Sequence, residues 1–120
     1  MNKRQTFGAF LKAKRKERAM TVRVIAENLG MALGYYGDVE SGRRTPVDLD
    51  FLNKIIEILQ LTDDDKRTLY DLAGKARSIA PPDLTEYINE NNAVRNAIRI
   101  AKEKASDEDW HNFIDYLEKK

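Results

Sequence analysis

Apolar residues recur at three- and four-residue spacing along most of the chain, and the breaks fall at residues that start or stop helices. A first helix is predicted from about Thr6 to Arg18, with Phe7, Phe10 and Leu11 as its apolar stripe and Met20 filling the gap to the next element. Thr21 is suited to cap a second helix that places Val22, Ile25, Ala26 and Leu29 on one face, and Gly30 can take the left-handed conformation that ends it. A third, short helix is predicted from about Leu33 to Ser41, with Tyr36 and Val39 inward and Gly42 as its stop. After a turn from Ser41 to Pro46, a fourth helix is expected to start at Pro46 and to bury Leu49, Leu52, Ile55, Ile56 and Leu59. Thr62 caps a fifth, with Asp63, Asp64 and Asp65 in its first turn, Asp65 placed for a capping box, and Leu69, Leu72, Ala73 and Ala76 as its buried side.

Ser78 to Asp83, with Pro81-Pro82, reads as a stiff connector and the one domain boundary, dividing residues 1–77 from 78–120. Beyond it, Leu84, Tyr87 and Ile88 suggest a short helix. Asn91 or Asn92 can cap another with Val94, Ile98 and Ala101 inward, and Ser106 to Asp109 caps a last one carrying Trp110, Phe113, Ile114 and Leu117. No strand, repeat or low-complexity tract is predicted. The fold class is all-α: a five-helix domain with a C-terminal helical extension for packing or dimerisation.

Two short helices joined by a turn of three or four residues that contains Gly have the shape of a helix-turn-helix. The turn here is Gly30-Met31-Ala32, followed by Tyr35, Val39, Glu40 and Ser41-Gly42-Arg43-Arg44-Thr45-Pro46. From about Thr6 to Thr62 this resembles the XRE family of lambda-repressor-like DNA-binding domains. With Leu72-Ala73-Gly74 and the Pro-Asp-Leu-x-Glu-Tyr-Ile segment of the tail, the whole chain looks like XRE-type regulators of Gram-positive bacteria or their mobile elements.

The resemblance implies that the third helix reads DNA, with Ala32, Leu33, Gly34, Gly37 and Asp38 facing bases and Tyr35 meeting a phosphate or a thymine. It implies backbone contacts from Thr21, Arg23, Arg43 and Arg44, and a structural ion pair between Arg15 and Glu40. This chain departs from the family's usual pattern in having Val22 where a Gln often stands and Ala32 where a hydroxyl could cap. Leu33, Gly34 and Gly37 cannot form side-chain hydrogen bonds to bases. Leu33 can still pack on a thymine methyl, and Asp38 can accept from a cytosine amino group. Asp38 can equally serve as a partner inside the motif. Readout is then expected to lean on DNA shape, or on an N-terminal arm, residues 1–5, inserting Lys3 and Arg4 into a groove.

Composition narrows the classes. The net charge of +1 conceals an uneven distribution: residues 1–23 carry eight bases and one acid, residues 24–77 seven and ten, and residues 78–120 six and nine. A basic block beside a helix-turn-helix favours a phosphate backbone as partner. There is no cysteine, which excludes disulfides and thiolate metal sites. The N-terminus has no apolar signal region and no apolar run reaches membrane-spanning length, so a cytoplasmic protein without a membrane partner is expected. His111 lies four residues from both Asp107 and Asp115, a spacing that reads as an exposed helix face and not as a metal site. No enzyme, cofactor or metal is expected.

The leading reading is a sequence-specific regulator of transcription, a repressor, that binds double-stranded DNA as a homodimer. One motif covers a half-site too short for useful specificity, so a two-fold assembly is expected. The tail aromatics, Trp110, Phe113 and Tyr116, can form the dimer face or fold back on their own chain. The alternative is a protein-interaction module (an antirepressor, an antitoxin-like protein or an adaptor) that keeps the motif, lacks strong DNA binding and has a regulatory protein as partner.

Overall fold

In the computed structural model, which describes residues 5–120, every regular element is a helix. The chain packs as two units, one ending at Thr85 and the other running from Glu86 to Lys120. The first contains α1 (Phe7–Glu17), α2 (Val22–Leu29), α3 (Leu33–Ser41), α4 (Leu49–Leu59) and α5 (Asp63–Arg77).

Each of these helices starts or ends on a residue that satisfies its orphan backbone groups. Thr6 and Thr21 accept hydrogen bonds from Ala9 N and Val24 N, each at 3.1 Å. Thr62 and Asp65 close a full capping box on α5, the Thr62 hydroxyl accepting from Asp65 N at 3.1 Å and the Asp65 carboxylate from Thr62 N at 3.2 Å. Gly30 and Gly42 end α2 and α3 at φ 68° and 90°, the left-handed region that a side chain enters at a cost.

The core is one cluster drawn from all five helices: Phe7, Phe10 and Leu11; Ile25, Ala26 and Leu29; Tyr36 and Val39; Phe51, Leu52, Ile55 and Leu59; Leu69 and Ala73, with Leu61 between α4 and α5. Full burial of one such large side chain contributes about 1.5–3 kcal/mol. Gly8 sets how closely α1 crosses α3. A Cβ there would sit 2.6 Å from the Val39 carbonyl oxygen, so only glycine permits the contact.

Several expectations are corrected. Helix α4 does not begin at Pro46. Its cap is Asp48, whose carboxylate accepts from Phe51 N at 3.1 Å, and Pro46 stays in the preceding loop. Within α4, Phe51 lies in the core and Leu49 is exposed to solvent. The segment after α5 is also less separate than its prolines suggest. Ile79 N donates to Gly74 O at 2.9 Å, and a Cβ on the buried Gly74 would meet the Ile79 oxygen at 2.9 Å and Pro81 N at 3.0 Å. The connector is folded onto the end of α5, and the first unit therefore extends to Thr85. Ala76, expected inside, is exposed.

α6 (Thr85–Glu90) leads into the second unit, which holds α7 (Asn92–Lys104) and α8 (Asp107–Glu118). Ser106 and Asp109 form a second complete capping box. Asn91 stands at the N-cap position of α7, but its side chain accepts no capping hydrogen bond; its side-chain amide donates to Tyr87 O at 2.8 Å and so closes α6 instead. Arg95 Nη1 donates to Ile88 O at 2.9 Å in the same place. No residue of this unit is buried, and Ile98, Ile100, Trp110, Phe113, Ile114, Tyr116 and Leu117 are all exposed.

Candidate nucleic-acid interface

The α2–turn–α3 segment is held rigidly from behind. The Arg15 guanidinium donates from Nε to Glu40 Oε2 at 2.7 Å and from Nη2 to Glu40 Oε1 at 3.1 Å, while Nη1 donates to the Met20 carbonyl at 2.8 Å. Both side chains are only 9% exposed, so this bidentate pair fixes α3 against α1 from inside the protein. The hydrogen bond to Glu40 raises the Arg15 pKa above its ordinary value. Tyr36 is fully buried beside them, and its hydroxyl has no hydrogen-bond partner among the described residues. Burial, and then the neighbouring Glu40 carboxylate, push the phenol pKa well up and keep it neutral.

With Tyr36 and Val39 inside, the outward face of α3 is Leu33, Gly34, Tyr35 and, half-buried, Gly37 and Asp38. No side chain caps this helix at Ala32; Tyr36 N donates to the Ala32 carbonyl at 3.1 Å. A Cβ built on Gly34 or Gly37 would touch nothing within 4 Å. The packing of the chain thus gives no reason for glycine at either position, although a mid-helix Gly costs roughly 0.8–1 kcal/mol relative to Ala. The result is a shallow surface on which another backbone can come close.

Arg43 and Arg44 are clipped to this face. Their backbone amides donate to the Asp38 carbonyl at 2.9 and 3.2 Å. Arg43 Nη1 lies 3.3 Å from Asp38 Oδ1, and Arg44 Nε lies 3.6 Å from Asp38 Oδ2. The Arg44 guanidinium is stacked over the Tyr35 ring, 4.7 Å from its centroid. Tyr35, Asp38, Arg43 and Arg44 are therefore one cluster, with Asp38 engaged inside the protein. Arg77 joins the same place by donating from Nη1 to Thr45 O at 3.0 Å. Nothing in the linear sequence marks Arg77 beyond a basic residue in the last turn of α5.

Thr21 and Arg23 are exposed at the start of α2, on the same motif. The Thr21 hydroxyl already accepts from Val24 N, and Arg23 makes no ion pair among the described residues. The basic block is less available than its charge count implies. Arg15 is turned inward, and Arg18 donates to Leu59 O at 2.8 Å and Gln60 O at 2.9 Å, closing the C-terminus of α4. Lys14 pairs with Asp65 at 3.1 Å and with Glu17 at 3.5 Å. Lys12, Lys16 and Arg23 remain exposed, and the arm residues Lys3 and Arg4 lie outside the described residues.

Among the described residues no three His, Asp or Glu side chains gather to hold a metal ion, and no helix is long and apolar enough to cross a membrane. The arrangement offers fixed cations beside an exposed, lightly decorated helix, which is the equipment for holding a phosphate backbone while a helix enters a groove. No curated protein and no solved structure matches the chain significantly. A family model described as a helix-turn-helix domain matches residues 6–69, just over half of the chain and all five helices from α1 into α5. The chain belongs to that helix-turn-helix domain family, whose architecture is that of DNA-binding regulators.

Proposed function

We propose that this protein is a sequence-specific transcriptional regulator of the XRE type, a cytoplasmic repressor that binds double-stranded DNA as a homodimer. The observation that carries the reading is the outward face of α3. It has two glycines that the packing does not require, and at its end Arg43 and Arg44 are tied to Asp38 by backbone hydrogen bonds and exposed side-chain ion pairs. Leu33 and the Gly34 and Gly37 backbone enter the major groove, Thr21 and Arg23 hold one strand of the backbone, and Arg43 and Arg44 hold the other. With so few hydrogen-bonding side chains on that face, specificity comes in large part from the shape and deformability of the site.

A second copy is the occupant proposed for the second unit. Thirty-five residues that bury none of their side chains are below the size at which a domain holds a core alone. The charges also complement one another. α7 carries Arg95, Arg99, Lys102 and Lys104 against Glu103, while α8 carries Asp107, Glu108, Asp109, Asp115 and Glu118 without a Lys or Arg. Two-fold pairing sets α7 of one copy against α8 of the other and covers Trp110, Phe113 and Leu117. Sedimentation should give a dimer at micromolar concentration for the full chain and a monomer for Phe113→Glu; a monomeric wild type would remove the two-fold claim.

Selection of bound duplexes from a random pool tests the function. Enrichment of a palindromic site, its half-sites about one helical turn apart, is expected. The engagement of both arginines by Asp38 favours a second reading, an interaction module without strong DNA binding. A pool with no enrichment after repeated rounds is the outcome that belongs to it.

A further inference from the structure

Beside the α3 face is a surface cavity of about 390 Å³ lined by Tyr35, Arg43, Arg44, Thr45, Pro46 and Arg77. Three arginines line one concavity, and among the described residues the only carboxylate paired with any of them is Asp38, which lies outside the lining. Arg77 comes from the last turn of α5, beyond the residues that the helix-turn-helix family model matches. Its hydrogen bond to Thr45 O holds it against the loop, and its other N–H groups make no hydrogen bond among the described residues. Guanidinium forks match the oxygens of a phosphate in pairs, and several around one hollow form a site for that group.

We propose that this cavity is a phosphate-binding site, with Arg77 as its third arm and the Asp38 carboxylate as the internal anion that holds Arg43 and Arg44 until a phosphate replaces it. The phosphate is supplied either by the DNA backbone or by a small phosphorylated effector. The cavity lies within the size range of small-molecule sites, and an effector there would compete with DNA for Arg43 and Arg44. The first source rests on the DNA-binding reading; the second does not.

The two sources separate in one set of experiments on the full chain and on Arg77→Gln and Arg77→Lys. Inorganic phosphate and phenyl phosphate are titrated while the side-chain Nε–H signals of Arg43, Arg44 and Arg77 are followed by NMR. In parallel, duplex DNA binding is measured across a salt series. If the site serves the DNA backbone, Arg77→Gln lowers the slope of log K against log salt by about 0.9, and a purely structural loss would leave that slope unchanged. If it serves an effector, phenyl phosphate shifts all three arginine signals saturably and loosens DNA. Its affinity rises as pH passes about 6, where its second proton leaves, and Arg77→Gln weakens it about tenfold or more, the loss of a charge-assisted hydrogen bond. Arg77→Lys keeps the charge without the fork and should fall between wild type and Arg77→Gln. A wild type that binds no DNA but shows the arginine shifts would overturn the DNA reading and leave the site standing. An unchanged DNA salt slope in Arg77→Gln, together with no saturable shift by either phosphate, would overturn the site.

Discussion

Replacing Glu40 by Ala tests what holds α3 in place. In the wild type the Glu40 carboxylate receives two hydrogen bonds from Arg15, at 2.7 and 3.1 Å, and both side chains are nearly out of solvent. The substitution leaves the Arg15 guanidinium buried with a single remaining bond, to the Met20 carbonyl. Breaking a buried pair from one side costs about 3–5 kcal/mol, most of it the uncompensated charge. In a folding unit of this size 1 kcal/mol moves Tm by about 4–8 °C, so a loss of about 3 kcal/mol lowers Tm by about 12–24 °C. Thermal unfolding followed by far-UV circular dichroism reads this directly, with urea unfolding as a check that the slope is unchanged. Replacing both partners with apolar residues, Arg15→Met with Glu40→Leu, should recover most of the loss, because the stranded charge is gone. A Glu40→Ala protein that melts within 2–3 °C of wild type would refute the argument that this pair fixes α3.

Further outcomes follow from individual residues. Gly37→Ala should raise stability by about 0.8–1 kcal/mol, since its Cβ meets nothing, yet weaken DNA binding if a backbone approaches there; equal affinity would deny the close approach. Asp38→Asn should raise affinity for duplexes of every sequence by freeing Arg43 and Arg44, and a change confined to one base pair would instead make Asp38 a reader of that pair. Burial alone would hinder ionisation of Asp65, but hydrogen bonds from Lys14 and Thr62 outweigh it and hold its pKa below the ordinary 3.8. Its stabilising effect is therefore present above about pH 4 and lost as pH falls through the lowered value, so acid unfolding should be less steep there for Asp65→Asn than for wild type. The Lys14 pKa is raised, chiefly by Asp65, so its share is lost only as pH climbs past 10.5.

Much of the first unit was legible because its signals are local. Thr21, Thr62 with Asp65, Gly30 and Gly42 mark helix ends through their own side chains or lack of one, and Ile25, Ala26, Leu29, Tyr36 and Val39 follow from spacing alone. What was not legible depends on contacts distant in sequence. Asp48 and Pro46 both suit a helix start, and Leu49 and Phe51 flank opposite edges of the same apolar stripe, so only the packing shows that Phe51 is the buried one. A count of charges could not tell that Arg18 caps α4, 41 residues away, or that Lys14 turns toward Asp65. Gly8 resembles a weak point in a helix until α3 is seen to cross it. At the interface, the sequence left Asp38 open between a base and a partner in its own motif. Its link to two arginines five and six residues on depends on the turn that Gly42 makes.

The central claim is that Arg43 and Arg44 hold a DNA backbone beside α3. Binding of one duplex, taken from the random-pool selection, should be measured between 50 and 200 mM salt for wild type, Arg43→Ala and Arg44→Ala. The account predicts a steep loss of wild-type affinity with salt, and a slope shallower by about 0.9 for each arginine removed, with base preference unchanged. A wild-type affinity that hardly responds to salt, or variants with the wild-type slope, would contradict it.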